Sequence, residues 1–317
     1  MPERPIVIAT RGSALALVQA NFVQAQCRQA FPSRQFELKV MKTTGDKLQT
    51  VSLAQPATSL PKGLFTKELE VALLDGSADL AVHSLKDLPT ELPAGLILGA
   101  TPKRADVRDV LIYREAPGFP AHLRPQAIVA GSVIATSSPR RKTQLLALNP
   151  GLKVVEVRGN VPTRLLKLAE RKEFDGMILA AAGLARLGYT ILPEGRLQGE
   201  GVPAGLFAVP FSVEEMLPCV GQAAIGIEIR ANDPEVQTLV DKLNHAETLQ
   251  CVTAERAFLR AMGGGCQSPV GAFAEISADQ LQLRAVSFTG SAPRRCSKSG
   301  SALQAEVLGQ AVAAELR

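Results

Sequence analysis

Strand-like and helix-like segments alternate along most of this 317-residue chain, and that alternation decides its fold class. Residues 6–9 form a short, β-branched apolar run of the kind found in buried strands. Residues 13–30 carry Leu15, Val18 and Phe22 at helical spacing. Further strands fall at 38–41 and 80–82, with a helix at about 64–75 between them. The succession returns as a strand at 133–135, a helix near 139–148, a strand at 154–157, a helix near 161–171 and a strand at 177–180. Such alternation predicts α/β domains with largely parallel sheets. A Pro/Gly-rich stretch at 192–210 reads as a surface connection. Beyond it come a strand at 225–229, helices near 234–243 and 246–262, a strand at 281–286 and an Ala-rich helix near 302–317. The chain exceeds the usual size of one domain, so two or three are expected.

Two joints in this pattern are built alike. One strand runs into Thr10-Arg11-Gly12-Ser13 and then a helix; another runs into Thr136-Ser137-Ser138-Pro139-Arg140-Arg141 and then a helix. Small hydroxyl residues cap helix N-termini, and the free backbone N–H groups there attract anions. Ligands of open α/β sheets bind at such strand ends. One capped helix is ordinary, whereas two with arginine favour a pair of lobes facing one anionic ligand. A third basic cluster, Arg158-Gly159-Asn160-Val161-Pro162-Thr163-Arg164, also follows a strand. The formal net charge of +5 agrees with an anionic partner. The basic residues form no long run or tail, and aromatic residues are only 4% of the chain, so few are available to stack on bases. A small polyanion suits the pattern better than nucleic acid.

Five cysteines (27, 219, 251, 266 and 296) form no CxxC pair, and their number is odd. This argues against a disulfide framework and a zinc site, and three histidines make a His-built metal site a poor expectation. The N-terminus lacks a long apolar region and no apolar run reaches membrane-spanning length. A cytoplasmic protein with reduced thiols and no membrane partner is therefore expected. Cys266 stands apart in Gly263-Gly264-Gly265-Cys266-Gln267-Ser268-Pro269. Glycines leave its sulfur uncrowded, and no hydrophobic residue flanks it as around a packed structural cysteine. Two readings stay open: a thiol presented for attachment or attack, or a cysteine at the C-cap where the preceding helix stops. In Val82-His83-Ser84-Leu85-Lys86-Asp87-Leu88-Pro89 the Lys-Asp pair follows a strand, where a solvated turn is the simplest account.

Taken together, Thr10–Leu17, Lys62–Glu70, Val82–Pro89, Thr136–Arg141, Arg158–Arg164, Ala182–Gly188 and Gly264–Gly271 resemble the porphobilinogen deaminase (hydroxymethylbilane synthase) family, in that family's order and over nearly the whole chain. The resemblance implies three α/β domains. Two are like type II periplasmic binding proteins with a ligand cleft between them, at 1–110 with 222–241 and at 111–221. A small α+β C-terminal domain at 242–317 carries the cofactor cysteine. It implies a mostly monomeric transferase that joins four porphobilinogen molecules head to tail into hydroxymethylbilane, releasing ammonia. The primer is a dipyrromethane cofactor, thioether-linked to the cysteine matching Cys266. Asp87 matches the catalytic aspartate. Lys86, Ser13, Thr136, Ser138, Arg140, Arg141 and Arg158 match cofactor-binding positions, and Arg11, Arg164, Arg186 and again Ser138 match substrate-binding ones. Guanidinium forks suit the acetate and propionate of each pyrrole. Two departures stand out. The usual Gly-Gln-Gly-Ala reads Gly221-Gln222-Ala223-Ala224, and Leu60-Pro61 replaces the usual glycines before Lys62, in a loop (46–61) that also holds Pro56. The competing reading is a two-lobe anion-binding or effector-sensing protein without turnover, which has no need of a presented thiol or a third domain.

Overall fold

The computed structural model describes residues 4–43, 65–116, 119, 123, 125–265 and 268–317. Cys266 and the 46–61 loop with its two prolines lie outside them. The chain divides into two compact units, Met1–Arg104 with Ala224–Thr253, and Ala105–Ala223 with Ala254–Arg317.

In chain order the first unit supplies β1 (Ile6–Arg11), α1 (Ala14–Ala30), β2 (Phe36–Met41), α2 (Lys67–Leu74), β3 (Leu80–Ser84) and β4 (Leu96–Ala100). The second supplies β5 (Asp109–Arg114), β6 (Val133–Ala135), α3 (Pro139–Leu148), β7 (Lys153–Val155), α4 (Val161–Glu170), β8 (Gly176–Ala180) and α5 (Ala181–Arg186). It continues through β9 (Thr190–Ile191), β10 (Leu197–Gln198) and β11 (Leu206–Pro210). The chain then returns to the first unit with β12 (Ile225–Arg230) and α6 (Pro234–Asp241). The division at Thr253 falls within α7 (Ala246–Ala261). The antiparallel strands β13 (Val270–Ser277), β14 (Gln280–Ser287) and β15 (Arg294–Ser301) follow, with α8 (Ala305–Leu316) last.

The five-stranded sheets of the two units repeat one plan. Their orders are β2-β1-β3-β12-β4 and, read from the matching edge, β7-β6-β8-β5-β11. The first three strands of each are parallel and joined through helices. The fourth, β12 or β5, is antiparallel to both its neighbours. Both sheets are therefore mixed rather than largely parallel. Neither β12 nor β5 follows a crossover helix of its own sheet: each is laid down as the chain passes from one unit to the other, so nothing forces it parallel.

Two further sequence expectations need correction. In α1, Val18 and Phe22 are 36% and 44% exposed, and the buried face is Gln19, Ala20, Val23, Gln24 and Cys27. Ala20, Val23 and Cys27 keep the helical period one step round from the expected face. Gln24 is tolerated inside because its amide donates to the Phe36 carbonyl at 2.8 Å. The stretch at 192–210 is no mere connection either, since Leu206, Phe207 and Ala208 of β11 are buried. Flanking glycines and prolines hid this strand. Because β11 is an edge strand, Pro210 ends it without removing a central ladder bond.

Ala223, where the resemblance leads one to expect glycine, has φ +69°. That left-handed conformation costs an L-residue roughly 1–2 kcal/mol, against the roughly 0.4–1 kcal/mol by which glycine's freedom favours the unfolded chain. Ala223→Gly should therefore raise the thermal midpoint, stabilising by up to about 1 kcal/mol, where Gly→Ala changes elsewhere in left-handed turns destabilise. A lowered midpoint in a melting experiment would contradict this.

Candidate active site

In the first unit the ends of β1 and β3 converge. Ser13 caps α1, its Oγ accepting from the Ala16 amide at 3.3 Å, and Thr10 Oγ1 donates to the Ala16 carbonyl at 3.3 Å. β3 runs into a 3-10 turn, Leu85–Asp87. The Leu85 amide donates to the Ala224 carbonyl at 3.0 Å. Leu85 packs over Gly226 of β12, where a Cβ would stand 2.9 Å from Leu85 Cδ1. A glycine at 226 is thus what lets this turn lie so close to the sheet. One pocket is lined by Arg11, Ser13, Gln19, Phe65, His83 and Asp87, among others. The Arg11 guanidinium carbon lies 4.3 Å from the centre of the Phe65 ring, a cation–π distance. Asp87 is exposed and makes no hydrogen bond or ion pair to another described residue. A turn-capping aspartate would accept from a nearby backbone amide, so capping does not account for it. Lys86 is half-buried beside it.

In the second unit the matching joint is also a cap. Ser138 Oγ accepts from the Arg141 amide at 3.4 Å, and Thr136 Oγ1 accepts from the Ser138 amide at 3.2 Å. Both hydroxyls keep a proton to donate. Arg140 and Arg141 point inward and are 4% and 7% exposed. Arg140 Nη1 is 2.7 Å from Asp109 Oδ2 and 2.7 Å from the Leu217 carbonyl. Arg141 grips Asp109 Oδ1 through Nε and Nη2, at 3.0 and 2.7 Å, and donates to the Ile178 carbonyl at 2.9 Å. The sequence reads both as carboxylate binders, and the carboxylate that they hold here is the protein's own. Two guanidiniums against one carboxylate still leave positive charge over.

That surplus is felt nearby. Arg164 is pushed down to about 10, by burial first and then by Arg141 and Arg158. Burial likewise pushes Arg186 down to about 10. Arg164 Nε donates to the Gly159 carbonyl at 2.7 Å, and Arg186 Nη2 to that of Ala223 at 2.7 Å. Among the described residues neither has a carboxylate partner. Arg158 lies exposed, 3.5 Å from an equally exposed Glu156, a pairing of little strength. Guanidiniums so placed are stabilised by added anions.

The cysteine loop is described only at its flanks. α7 ends in a Schellman motif: Gly263 has φ +66°, its amide reaches the Arg260 carbonyl at 3.0 Å, and the Gly264 amide reaches that of Leu259 at 3.1 Å. Capping thus belongs to Gly263 and Gly264, and Cys266 lies beyond it in the chain. Gly265 and Ser268, on either side of Cys266-Gln267, bond to each other through Ser268 N–H to the Gly265 carbonyl at 2.9 Å and Gly265 N–H to Ser268 Oγ at 3.1 Å.

Residues 6–238 match the family model described as porphobilinogen deaminase, dipyromethane cofactor binding domain, and residues 249–317 match that of its C-terminal domain. The chain belongs to the porphobilinogen deaminase family. A porphobilinogen deaminase of Synechococcus elongatus is 45% identical over 100% of this chain and 93% of its own. One of Chromobacterium violaceum is 46% identical over 98% and 94%. Both stretches of this family assignment span the residues placed above.

Sequence reasoning missed Asp109, Gln222, Gln19 and Phe65. Asp109 is a lone acid before an apolar run, and no spacing marks it. Yet it is wholly buried, and Arg140 and Arg141 overcome the effect of burial to hold its carboxyl at about 2, below the ordinary 3.8. The sign follows from that depression. The stabilisation is complete above about pH 4 and is lost as the pH falls toward about 2, an effect of about 2 kcal/mol. Acid unfolding of the wild type, followed by circular dichroism, should show this loss. Asp109→Asn should unfold at a much lower temperature at neutral pH, by about 3–5 kcal/mol, because it leaves two buried guanidiniums without a counter-charge. Unchanged stability of Asp109→Asn at pH 7 would refute it.

Proposed function

We propose that the protein is a transferase that deaminates four porphobilinogen molecules and joins them head to tail into hydroxymethylbilane, in tetrapyrrole biosynthesis. The observation that carries this is an exposed carboxylate, Asp87, bonded to no other described residue, in the same pocket as Arg11 and the Ser13 cap, in a chain matching this family along nearly its whole length.

The residues present fit a polycarboxylate cofactor, since Arg164 and Arg186 are partly buried cations lacking a carboxylate among the described residues. When bound, the dipyrromethane supplies an electron-rich pyrrole carbon from which the chain grows. Cys266 is the proposed thioether attachment point. Lys86, Ser13, Thr136, Ser138 and Arg158 are proposed to hold its carboxylates, the hydroxyls donating and the cations pairing. Arg140 and Arg141 contribute from the interior, through the positive charge that Asp109 leaves unbalanced. Arg11, Arg164 and Arg186, with Ser138, are proposed to take the acetate and propionate groups of incoming substrate. Asp87 stabilises the positive charge that develops on the substrate as its amine leaves, and holds or moves a proton at the pyrrole nitrogen. No helix among the described residues is long and apolar enough to cross a membrane, and we take the protein to be a cytoplasmic monomer. A binding protein without turnover has no use for the C-terminal domain matched at 249–317.

Intact-protein mass spectrometry tests the attachment. The mass should exceed that of the sequence by one two-pyrrole adduct, and Cys266→Ser should lose it. An adduct mapped to Cys27, Cys219, Cys251 or Cys296, or no adduct and no colour with Ehrlich's reagent, would defeat the proposal.

Asp87→Asn tests the chemistry. It should fold and carry the adduct, while turnover of porphobilinogen drops by roughly 10²–10⁴-fold. Asp87→Glu should keep part of the activity, because the charge remains and moves by about one methylene. Near-normal hydroxymethylbilane formation by a folded Asp87→Asn enzyme would remove Asp87 from the mechanism.

A further inference from the structure

Beneath the pocket of the first unit lies a group of ionisable side chains that the reading above leaves unused. His83 lines that pocket and is 5% exposed. Its Nε2 is 3.0 Å from Oε2 of Glu228, which is wholly buried. The pairing is built into the sheet. Gly226 of β12 stands opposite His83 of β3, so Glu228, two residues further on, shares its face. Oε1 of Glu228 has no hydrogen-bond partner among the described residues, and neither has Oε1 of Glu70, a buried residue of α2. Burial above all, with the charge of Glu228 adding to it, raises the Glu70 carboxyl above the usual carboxylate range.

Two buried carboxylates beside one imidazole carry more negative charge than a single imidazolium offsets, so the group is stabilised by holding a proton. Among the described residues the other charged groups around it are Glu68 on α2, Arg11 at the end of β1 and Asp87 on the turn after β3. A separate observation shows that this pocket is shaped for a polar occupant. Gln19 lines it and is 2% exposed, and its Nε2 has no partner among the described residues while its Oε1 accepts from Ser84 Oγ at 3.0 Å.

We infer that His83, backed by Glu228 and Glu70, is a positioning residue that stores and returns a proton for Asp87 during each deamination and condensation, an inference that rests on the function proposed above. The proton count closes. Asp87 passes the stored proton to the substrate amine, the C–N bond breaks with its electron pair going to nitrogen, and ammonia departs. A carbon–carbon bond then forms from the acceptor pyrrole, whose ring carbon loses one proton. Asp87 accepts that proton, and the His83–Glu228–Glu70 group holds it for the next amine. Nothing is oxidised or reduced.

Glu228→Gln in the cofactor-loaded enzyme tests this, with two readouts. The first is the pH dependence of kcat. It should shift, with kcat lowered roughly tenfold, less than the 10²–10⁴-fold expected for a direct acid–base group, and with KM for porphobilinogen little changed. The second is the NMR signal of the His83 ring nitrogens in a protein with three histidines. It should change once the carboxylate that faces Nε2 at 3.0 Å is gone. Glu70→Gln should lower kcat and shift its pH profile in the same way, and it stands in if Glu228→Gln does not fold. A lowered kcat with an unmoved pH profile would mean a structural role only and would overturn the inference. So would wild-type behaviour in both readouts. If the wild type fails to consume porphobilinogen, the proposed function falls by itself, and the relay falls with it even if the His83 signal still changes.

Discussion

Two guanidiniums converging on one buried carboxylate hold the second unit's site in place. Desolvating three charges is expensive, and an interior cluster of this kind is tolerated only when nearly every polar atom is satisfied. Here most donors are engaged, while the buried Arg140 Nε has no partner among the described residues. Arg140 and Arg141 engage Asp109 and the carbonyls of Leu217 and Ile178, and the Gln222 amide adds a bond to Asp109 Oδ1 at 3.1 Å. Gln144 extends the network by both donating to and accepting from the backbone of Leu217, each at 2.9 Å. The cluster therefore ties together the start of β5, the first turn of α3, the middle of β8 and the segment around 217–222. Those are the segments next to the Thr136–Ser138 cap and to Ala223, whose carbonyl holds Arg186. The orientation of the basic residues is inherited from this buried ion cluster rather than set separately for each.

The same fold plan serves different electrostatic ends in the two units. In each, parallel strands deliver a hydroxyl-capped helix N-terminus to the C-terminal edge of the sheet, the general location for ligands in open α/β structures. The first unit places there a carboxylate without an ion-pair partner among the described residues and buries further carboxylates behind it. The second places cations there and buries a surplus of positive charge behind them. An enzyme that must stabilise a developing cation while gripping many carboxylates needs both kinds of environment.

Much of this was legible in sequence, and what was not has physical causes. The helices α3, α4 and α6 were readable because each starts with a polar cap and a proline at the first turn, and both anionic-ligand joints followed from Ser13 and Ser138. The direction of β5 and β12 was hidden, because pairing with strands far along the chain leaves no local mark. β15 was hidden as well, since Arg294–Ser301 is a polar edge strand with no apolar alternation to read. The buried face of α1 was misjudged because large apolar residues were taken as its inner side, whereas small residues and a hydrogen-bonded glutamine lie there. Family resemblance pointed to Arg140 and Arg141 but not to Asp109, because a lone aspartate before an apolar run has no local reason to be singled out. Its importance appears only when two arginines from another element close on it.

Ala223 shows how the cluster also sustains strain. A left-handed alanine persists only where its surroundings over-determine it. Its carbonyl takes Arg186 Nη2 at 2.7 Å and the Ala105 amide at 3.4 Å. The residue before it, Gln222, is fixed by the Val107 carbonyl at 2.7 Å and by Asp109. Relaxing Ala223 to an ordinary conformation would turn that carbonyl away from Arg186 and leave a partly buried guanidinium without its acceptor. A buried donor without a partner costs about 1–3 kcal/mol, more when it is charged, and this exceeds or matches the strain. The substitution of alanine for the family's usual glycine is therefore tolerable because the Asp109 network already fixes the backbone on its other side. The same network that orients the basic residues makes the departure from the family pattern affordable.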